Sequence, residues 1–265
     1  MNPKIIIPLF LAFASANAPA QMQSRIIGGQ TVTGSDWIAH TVAAFVATNS
    51  QGQALCTASI VANDLAITAA HCISDQGANP VQSAKGTTYT LVFNTNIKGA
   101  NQSTIRNVDA AEIPSQWKPD SGSDSNTSDV AVVHFSGGLP AGYQISDLLP
   151  YNMNLTVGES VELAGYGISN ATQDTGAGIL RKTAVTVTNP NFSPSEVELD
   201  QSHGGGACHG DSGGPAYVLI NNHPYLFGIT SRGGGNCDET VIYTRISVWS
   251  NWFKEASDKL RSETR

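Results

Sequence analysis

Charge is scarce in this chain. Only 13% of its 265 residues are Asp, Glu, Lys or Arg, against 40% hydrophobic ones. Disordered chains show the reverse balance, so this is the composition of a folded globule, one large or two medium domains with a real core. Cations are the rarer sign, 14 against 21 acids, with a formal net charge of −7 and no basic cluster. That excludes an extended nucleic-acid surface. Beyond the N-terminus no apolar run is long enough to cross a bilayer, so no membrane anchor is expected in the mature form. Cysteine is sparse too: there are four, Cys56, Cys72, Cys208 and Cys237, and none forms a close CxxC pair. A zinc site built from all four usually shows such pairs. No metal cluster and no cofactor motif is visible, and none is expected.

What is there begins with a leader. Lys4 is followed by the short apolar run IIIPLFLAFA (5–14) and then by small residues. This is the pattern of a secretory signal over 1–20, cut after Ala18-Pro19-Ala20. Secretion, extracellular or periplasmic, makes disulfides available. Four cysteines allow three pairings, of which Cys56–Cys72 with Cys208–Cys237 is the simplest.

The rest of the chain alternates short Val-, Ile-, Thr- and Ala-rich runs with Gly, Asn, Ser and Pro clusters. Strands are expected at 41–48, 65–70, 87–93, 129–135, 160–167, 181–188, 216–220, 225–231 and 240–246, with a hairpin turn at 221–224 and an exposed loop at 115–128. Many short strands favour an all-β sandwich or barrel. One helix is expected, at 247–262, where Val248, Trp249, Trp252, Phe253, Ala256 and Leu260 fall at helical spacing.

The segment HGDSGGP (209–215) surrounds a serine with glycines and sets an aspartate before it. Its GDSGG core fits the nucleophile elbow G-x-S-x-G, but that fold needs strand–helix alternation and the order Ser, acid, His. Here strands follow, and the later histidine, His223, sits in a turn. Four further segments decide the matter: IIGG (26–29) after Arg25, ITAAHC (67–72), SDVAVVHF (128–135) and LAGYG (163–167). In this order, with CHGDSGGP (208–215), they resemble the trypsin-like serine proteases from Ile26 to about Leu260. The resemblance implies two six-stranded antiparallel β-barrels: a peptidase domain over 26–265, its first barrel about 26–139, its second about 155–246, then the helix. The few cysteines for this family suit a bacterial secreted enzyme.

It also implies roles. A serine hydroxyl is a weak nucleophile that needs a base; Ser212 would be the nucleophile and His71 the base. Asp129 would orient and stabilise the imidazolium; Asp120 and Asp124 are rival carboxylates, but only Asp129 directly precedes an apolar strand. Cys72 would bond to Cys56 and hold the histidine segment. His40, His134, His203 and His223 lack a motif and read as ordinary polar residues. The N–H groups of Gly210 and Ser212 would form the oxyanion hole. The segment 21–25 would be a propeptide. Cleavage between Arg25 and Ile26, by a separate trypsin-like protease, would free an ammonium to pair with Asp211.

The same resemblance locates a substrate pocket at Gly206, Ala207, His209, Ser231, Arg232, Gly233 and Val241, with Gly206 as its floor, six residues before the nucleophile. Neither Gly206 nor Ala207 carries charge, and Val241 narrows the space. This suits cleavage after small or medium apolar residues. Asp238 or Glu239 reaching the floor would instead give a basic preference. Arg232 and His209 would favour acidic substrate residues or be solvated. The expected partners are protein or peptide substrates and the activating protease, acting on a monomer. A binding protein on a protease scaffold is the rival from another class.

Overall fold

The computed structural model describes residues 26–73, 86–119 and 126–264. The signal and propeptide readings, Arg25, and the rival acids Asp120 and Asp124 fall outside the described residues. The chain runs through β1 (Gln30–Thr31), β2 (Val42–Asn49), β3 (Gly52–Ile60), β4 (Leu65–Thr68), β5 (Thr88–Val92), β6 (Ile105–Glu112) and β7 (Ala131–Phe135). It continues through β8 (Ser160–Gly165), β9 (Arg181–Ser193), β10 (Glu196–Asp200), β11 (Pro215–Ile220), β12 (His223–Gly233) and β13 (Thr240–Arg245), and ends in α1 (Ser250–Glu263).

Strands β2 to β7 close a six-stranded antiparallel barrel in the order β2-β3-β4-β7-β6-β5. Strands β8 to β13 close a second, in the order β9-β10-β13-β12-β11-β8. Strand β1 adds to the edge of β9. Residues 30–31, expected in the first barrel, therefore pair with the second.

Period-two alternation explains how the barrels pack. Along β7, Ala131, Val133 and Phe135 point into the first barrel with Phe45 and Leu91. Val132, between them, points out and joins Val42, Ala44, Tyr166, Tyr217 and Leu226 in the core between the barrels. Both faces of these strands are buried, which makes their sequences run apolar instead of alternating. The second barrel has its own interior of Val161, Leu163, Val197, Leu199, Phe227 and Tyr243.

Helix α1 seals the interface with Phe253, Ala256 and Leu260, and Arg261 clamps Asp64 at 2.6 and 2.9 Å. It starts later than expected. Ile246–Trp249 form a 3-10 turn, and Val248 is exposed instead of packed. The β11–β12 turn is also shorter: Asn221 and Asn222 both take positive φ, 53° and 63°, and Pro224 already belongs to β12. Two successive left-handed residues match the twist of a tight hairpin, and asparagine tolerates them.

Candidate active site

His71 lies in the short 3-10 turn Ala70–Cys72 that follows β4. Ala69 and Ala70 are fully buried, so the turn sits close against the barrel. Cys72 is bridged to Cys56 on β3, which ties the turn down from its far end. Asp129 stands two residues before β7, after Ser128, whose φ of 55° bends the chain into the site. The Asp129 carboxylate then meets His71 twice. Oδ2 lies 2.7 Å from the ring Nδ1, and Oδ1 accepts the His71 backbone N–H at 3.0 Å. Ser231 Oγ donates to Oδ2 at 2.8 Å, and Thr244 Oγ1 donates to the Asp129 carbonyl at 2.8 Å. Burial opposes the negative charge of Asp129. The neighbouring His71 and these donors outweigh it and hold the carboxyl below its ordinary range.

Ser212 comes from the other barrel, on the turn before β11. It borders the same cavity as His71, a space of about 340 Å³. Its turn is shaped by two left-handed glycines, Gly210 at φ 94° and Gly213 at φ 78°. A Cβ on Gly213 would fall 2.1 Å from Thr68 Oγ1 and 2.5 Å from the Thr57 carbonyl, so only glycine fits. The N–H groups of Asp211, Gly213 and Gly214 are bonded to the carbonyls of Cys208, Thr230 and Asp211. Among the described residues no acceptor takes those of Gly210 and Ser212.

Asp211 is wholly buried behind the serine. Its oxygens accept the N–H groups of Gly167 at 2.7 Å and Cys208 at 2.9 Å. A side chain on Gly165 or Gly167 would strike this carboxylate, which explains why that segment is G-x-G. In the uncut chain burial dominates and pushes Asp211 up to about 7, against the pull of those N–H groups and of Arg181. Ile26 is buried, and the carbonyl of the next residue, Ile27, accepts the Gly206 N–H at 2.9 Å.

A second cavity, about 200 Å³, opens beside Ser212. Ala207, His209, Ser231, Arg232, Gly233 and Val241 line it. Gly206 does not. It lies beneath, covered by the Gln201 side chain, which no sequence signal had marked. Asp238 and Glu239 are exposed and line no part of this cavity. Cys208 and Cys237, bridged to each other, flank it. The larger cavity of about 610 Å³ around Gly28 and Thr183 touches none of these groups.

Arg232 is not a solvated surface group. It is mostly buried and grips Glu196 on β10, with Nη1–Oε1 at 2.6 Å and Nη2–Oε2 at 3.1 Å. Burial opposes the charge of Glu196, and the hydrogen bonds from Arg232, Ser193 and Thr127 overcome it, so its carboxyl stays below the ordinary range. Trp117, Lys118 and Thr127, also unmarked in the sequence, join His71 and Arg232 around a third cavity of about 220 Å³. The other histidines lie elsewhere: His134 meets Asp109 at 2.5 Å and His223 meets Asp147 at 2.8 Å.

The Trypsin family model matches residues 26–253. Chymotrypsin of Phaedon cochleariae is 27% identical over 245 residues, covering 86% of this chain and 83% of that protein. Fibrinolytic enzyme isozyme C of Lumbricus rubellus is 26% identical, covering 76% and 88%. Trypsin alpha of Drosophila melanogaster is 23% identical, covering 91% and 90%. The solved structure of HL collagenase shares the fold, with a TM-score of 0.69 at 20% identity over 88% of this chain and 98% of its own. The chain belongs to the trypsin family of serine endopeptidases.

Proposed function

We propose that this endopeptidase is secreted as a precursor, is activated by a cut at Arg25–Ile26, and cleaves after uncharged side chains of small or medium size, apolar by the character of the pocket walls. The observation that carries the catalytic reading is the 2.7 Å His71–Asp129 contact beside the cavity that His71 shares with Ser212. In the reaction the Ser212 hydroxyl attacks the substrate carbonyl while His71 takes its proton. Asp129 holds the ring tautomer and stabilises the imidazolium. The N–H groups of Gly210 and Ser212 receive the oxyanion, a contribution of about 2.7–4 kcal/mol for each donor. His71 returns the proton to the leaving amine, and water then hydrolyses the acyl-enzyme.

The specificity reading rests on Ala207 and Val241 as walls, on Gly233 at the mouth and on the neutralisation of Arg232 by Glu196. A pocket of this kind rejects arginine, so the precursor would depend on a separate trypsin-like protease. The activation reading rests on Asp211, buried and, among the described residues, without a cationic side chain bonded to it. A new α-amino group near pKa 8 would supply the missing charge, and the pairing would raise that value. No helix among the described residues is long and apolar enough to cross a membrane. Cutting the precursor with a trypsin-like protease, removing that protease and adding a fluorophosphonate tests the reading. Labelling confined to Ser212, dependent on the cut and absent in Ser212→Ala, is the expected result. Absence of labelling after a correct cut would favour a binding scaffold.

A further inference from the structure

We propose that Arg181 is a positioning residue for the serine loop: in the uncut chain it stands in for the missing ammonium near Asp211, so that the precursor keeps part of the mature enzyme's reactivity. The proposal rests on the reading of Asp211 as the carboxylate that the cut at Arg25–Ile26 completes.

Arg181 opens β9 and faces Gly165, the last residue of β8, in antiparallel register. Residues directly opposite in such a pair project to the same face. That face of Gly165 is where Asp211 lies: a Cβ there would fall 2.1 Å from Asp211 Oδ1. The Arg181 side chain therefore leaves the sheet on the side of the carboxylate. It is 3% exposed, and its Nη1 donates to the carbonyls of Gly176 at 2.6 Å, Ile179 at 3.1 Å and Gly167 at 3.4 Å. Gly167 ties the two groups together. Its N–H donates to Asp211 Oδ1 at 2.7 Å while its carbonyl accepts from Arg181.

The shape of the serine loop depends on that carboxylate. Oδ1 and Oδ2 each accept a backbone N–H, from Gly167 and from Cys208 at the start of the loop. Two donors on two oxygens suit a carboxylate better than an acid, whose O–H needs an acceptor of its own. Burial opposes the charge. A guanidinium, protonated at every working pH, offsets part of that cost before any cut is made. Tyr243 on β13 also faces Asp211, but burial holds its phenol neutral. His209, two residues earlier, is exposed and lines the outer cavity. Arg181 is thus the resident positive charge of this site, and the ammonium adds to it.

The test compares the full chain carrying Arg25→Gln, which prevents the cut, with the chain cut at Arg25–Ile26. The rate of fluorophosphonate labelling of Ser212 is measured from pH 6 to pH 9, with a thermal melt of each sample. The uncut protein should be labelled above the Ser212→Ala background. Arg181→Gln, which can still donate to the carbonyls but carries no charge, should slow that labelling about tenfold at pH 6, the effect of a one-unit rise at Asp211. The gap should close by pH 9, where Asp211 is ionised in both. His71 titrates in every form and cancels from the ratio. Arg181→Lys should restore the rate, and in the cut enzyme, where the ammonium compensates Asp211, Arg181→Gln should matter far less. A ratio that does not vary with pH, an equal effect in cut and uncut forms, or an unlabelled precursor beside a labelled cut enzyme would overturn the inference and leave the activation reading standing. Equal labelling of the two wild-type forms would overturn the activation reading with it, and absence of labelling in the cut enzyme would overturn the catalytic reading as well.

Discussion

Arg232 and Glu196 form a two-pronged ion pair between β12 and β10, at 2.6 and 3.1 Å, with the Glu196 side chain wholly shielded from solvent. The pair crosses behind the cavity wall, so removing one member leaves the other charged and buried. Arg232→Ala should cost about 3–5 kcal/mol of stability, whereas an apolar replacement of both residues should cost far less. Urea unfolding of the single and double variants checks this. A loss under about 1 kcal/mol in Arg232→Ala would show that Glu196 finds water.

The short His71–Asp129 contact sets the ring tautomer. Asp129→Asn would present a donor to Nδ1, forcing the proton onto Nε2, where it can no longer accept from Ser212. The expected loss in kcat is about 10⁴-fold with folding intact. Steady-state kinetics with a thermal melt of the same sample measure both.

Asp211 should make the uncut precursor sensitive to pH. Its folded value of about 7 lies above that of an unfolded carboxyl, near 3.9. Between those two values the folded chain keeps a proton that the unfolded chain has released. Stability therefore falls as pH rises from about 4 to about 7, by about 4 kcal/mol in all, and levels off above. The stability difference between the precursor and its Asp211→Asn variant should change by that amount between pH 4 and pH 8. A difference that stays constant would show that Asp211 is already ionised in the precursor. Cutting at Arg25–Ile26 should remove much of the loss, because the ammonium then compensates the carboxylate.

Gly213→Ala adds a methyl 2.1 Å from Thr68 Oγ1 at a φ of 78°. Left-handed strain of about 1–2 kcal/mol and overpacking of about 1–3 kcal/mol combine. Loss of about 2–5 kcal/mol and of activity is expected. Gly234→Ala, with open space around it, should stay within about 0.5 kcal/mol. Chemical denaturation of the pair gives the comparison.

The barrels and the segments that bring His71, Asp129 and Ser212 together were legible in the sequence because each carries a dense local signal: β-branched runs such as VAVV, or His, Asp and Ser in distinctive settings. Strands β3, β6 and β10 were not. β3 mixes Gly, Gln, Ala, Ser and Thr with Leu, Cys and Ile, β6 carries Arg106, Asp109 and Glu112, and β10 alternates acids with Val and Leu. Few β-branched and no aromatic residues hid them, and barrel closure supplied what local preference lacked. The Glu196 and Gln201 contacts were hidden for the same reason, since both depend on the register of β10. Gly206 looked like an empty floor because a glycine in a sequence says nothing of what fills its space.

Thr57, fully buried on β3, draws a further consequence. Its N–H donates to the Ser212 carbonyl at 2.8 Å, its hydroxyl donates to the Gly210 carbonyl at 3.0 Å and accepts the Tyr166 N–H at 3.1 Å. One threonine of the first barrel thus anchors the serine loop of the second, while Asp129, which belongs to the first with His71, is held from the second by Ser231 and Thr244. Turnover then works as a gauge of alignment between two halves that could each remain folded. On warming, peptide hydrolysis should fade before the sheet signal does, since a slip of a fraction of an ångström at this seam separates the reacting groups and leaves every strand in place.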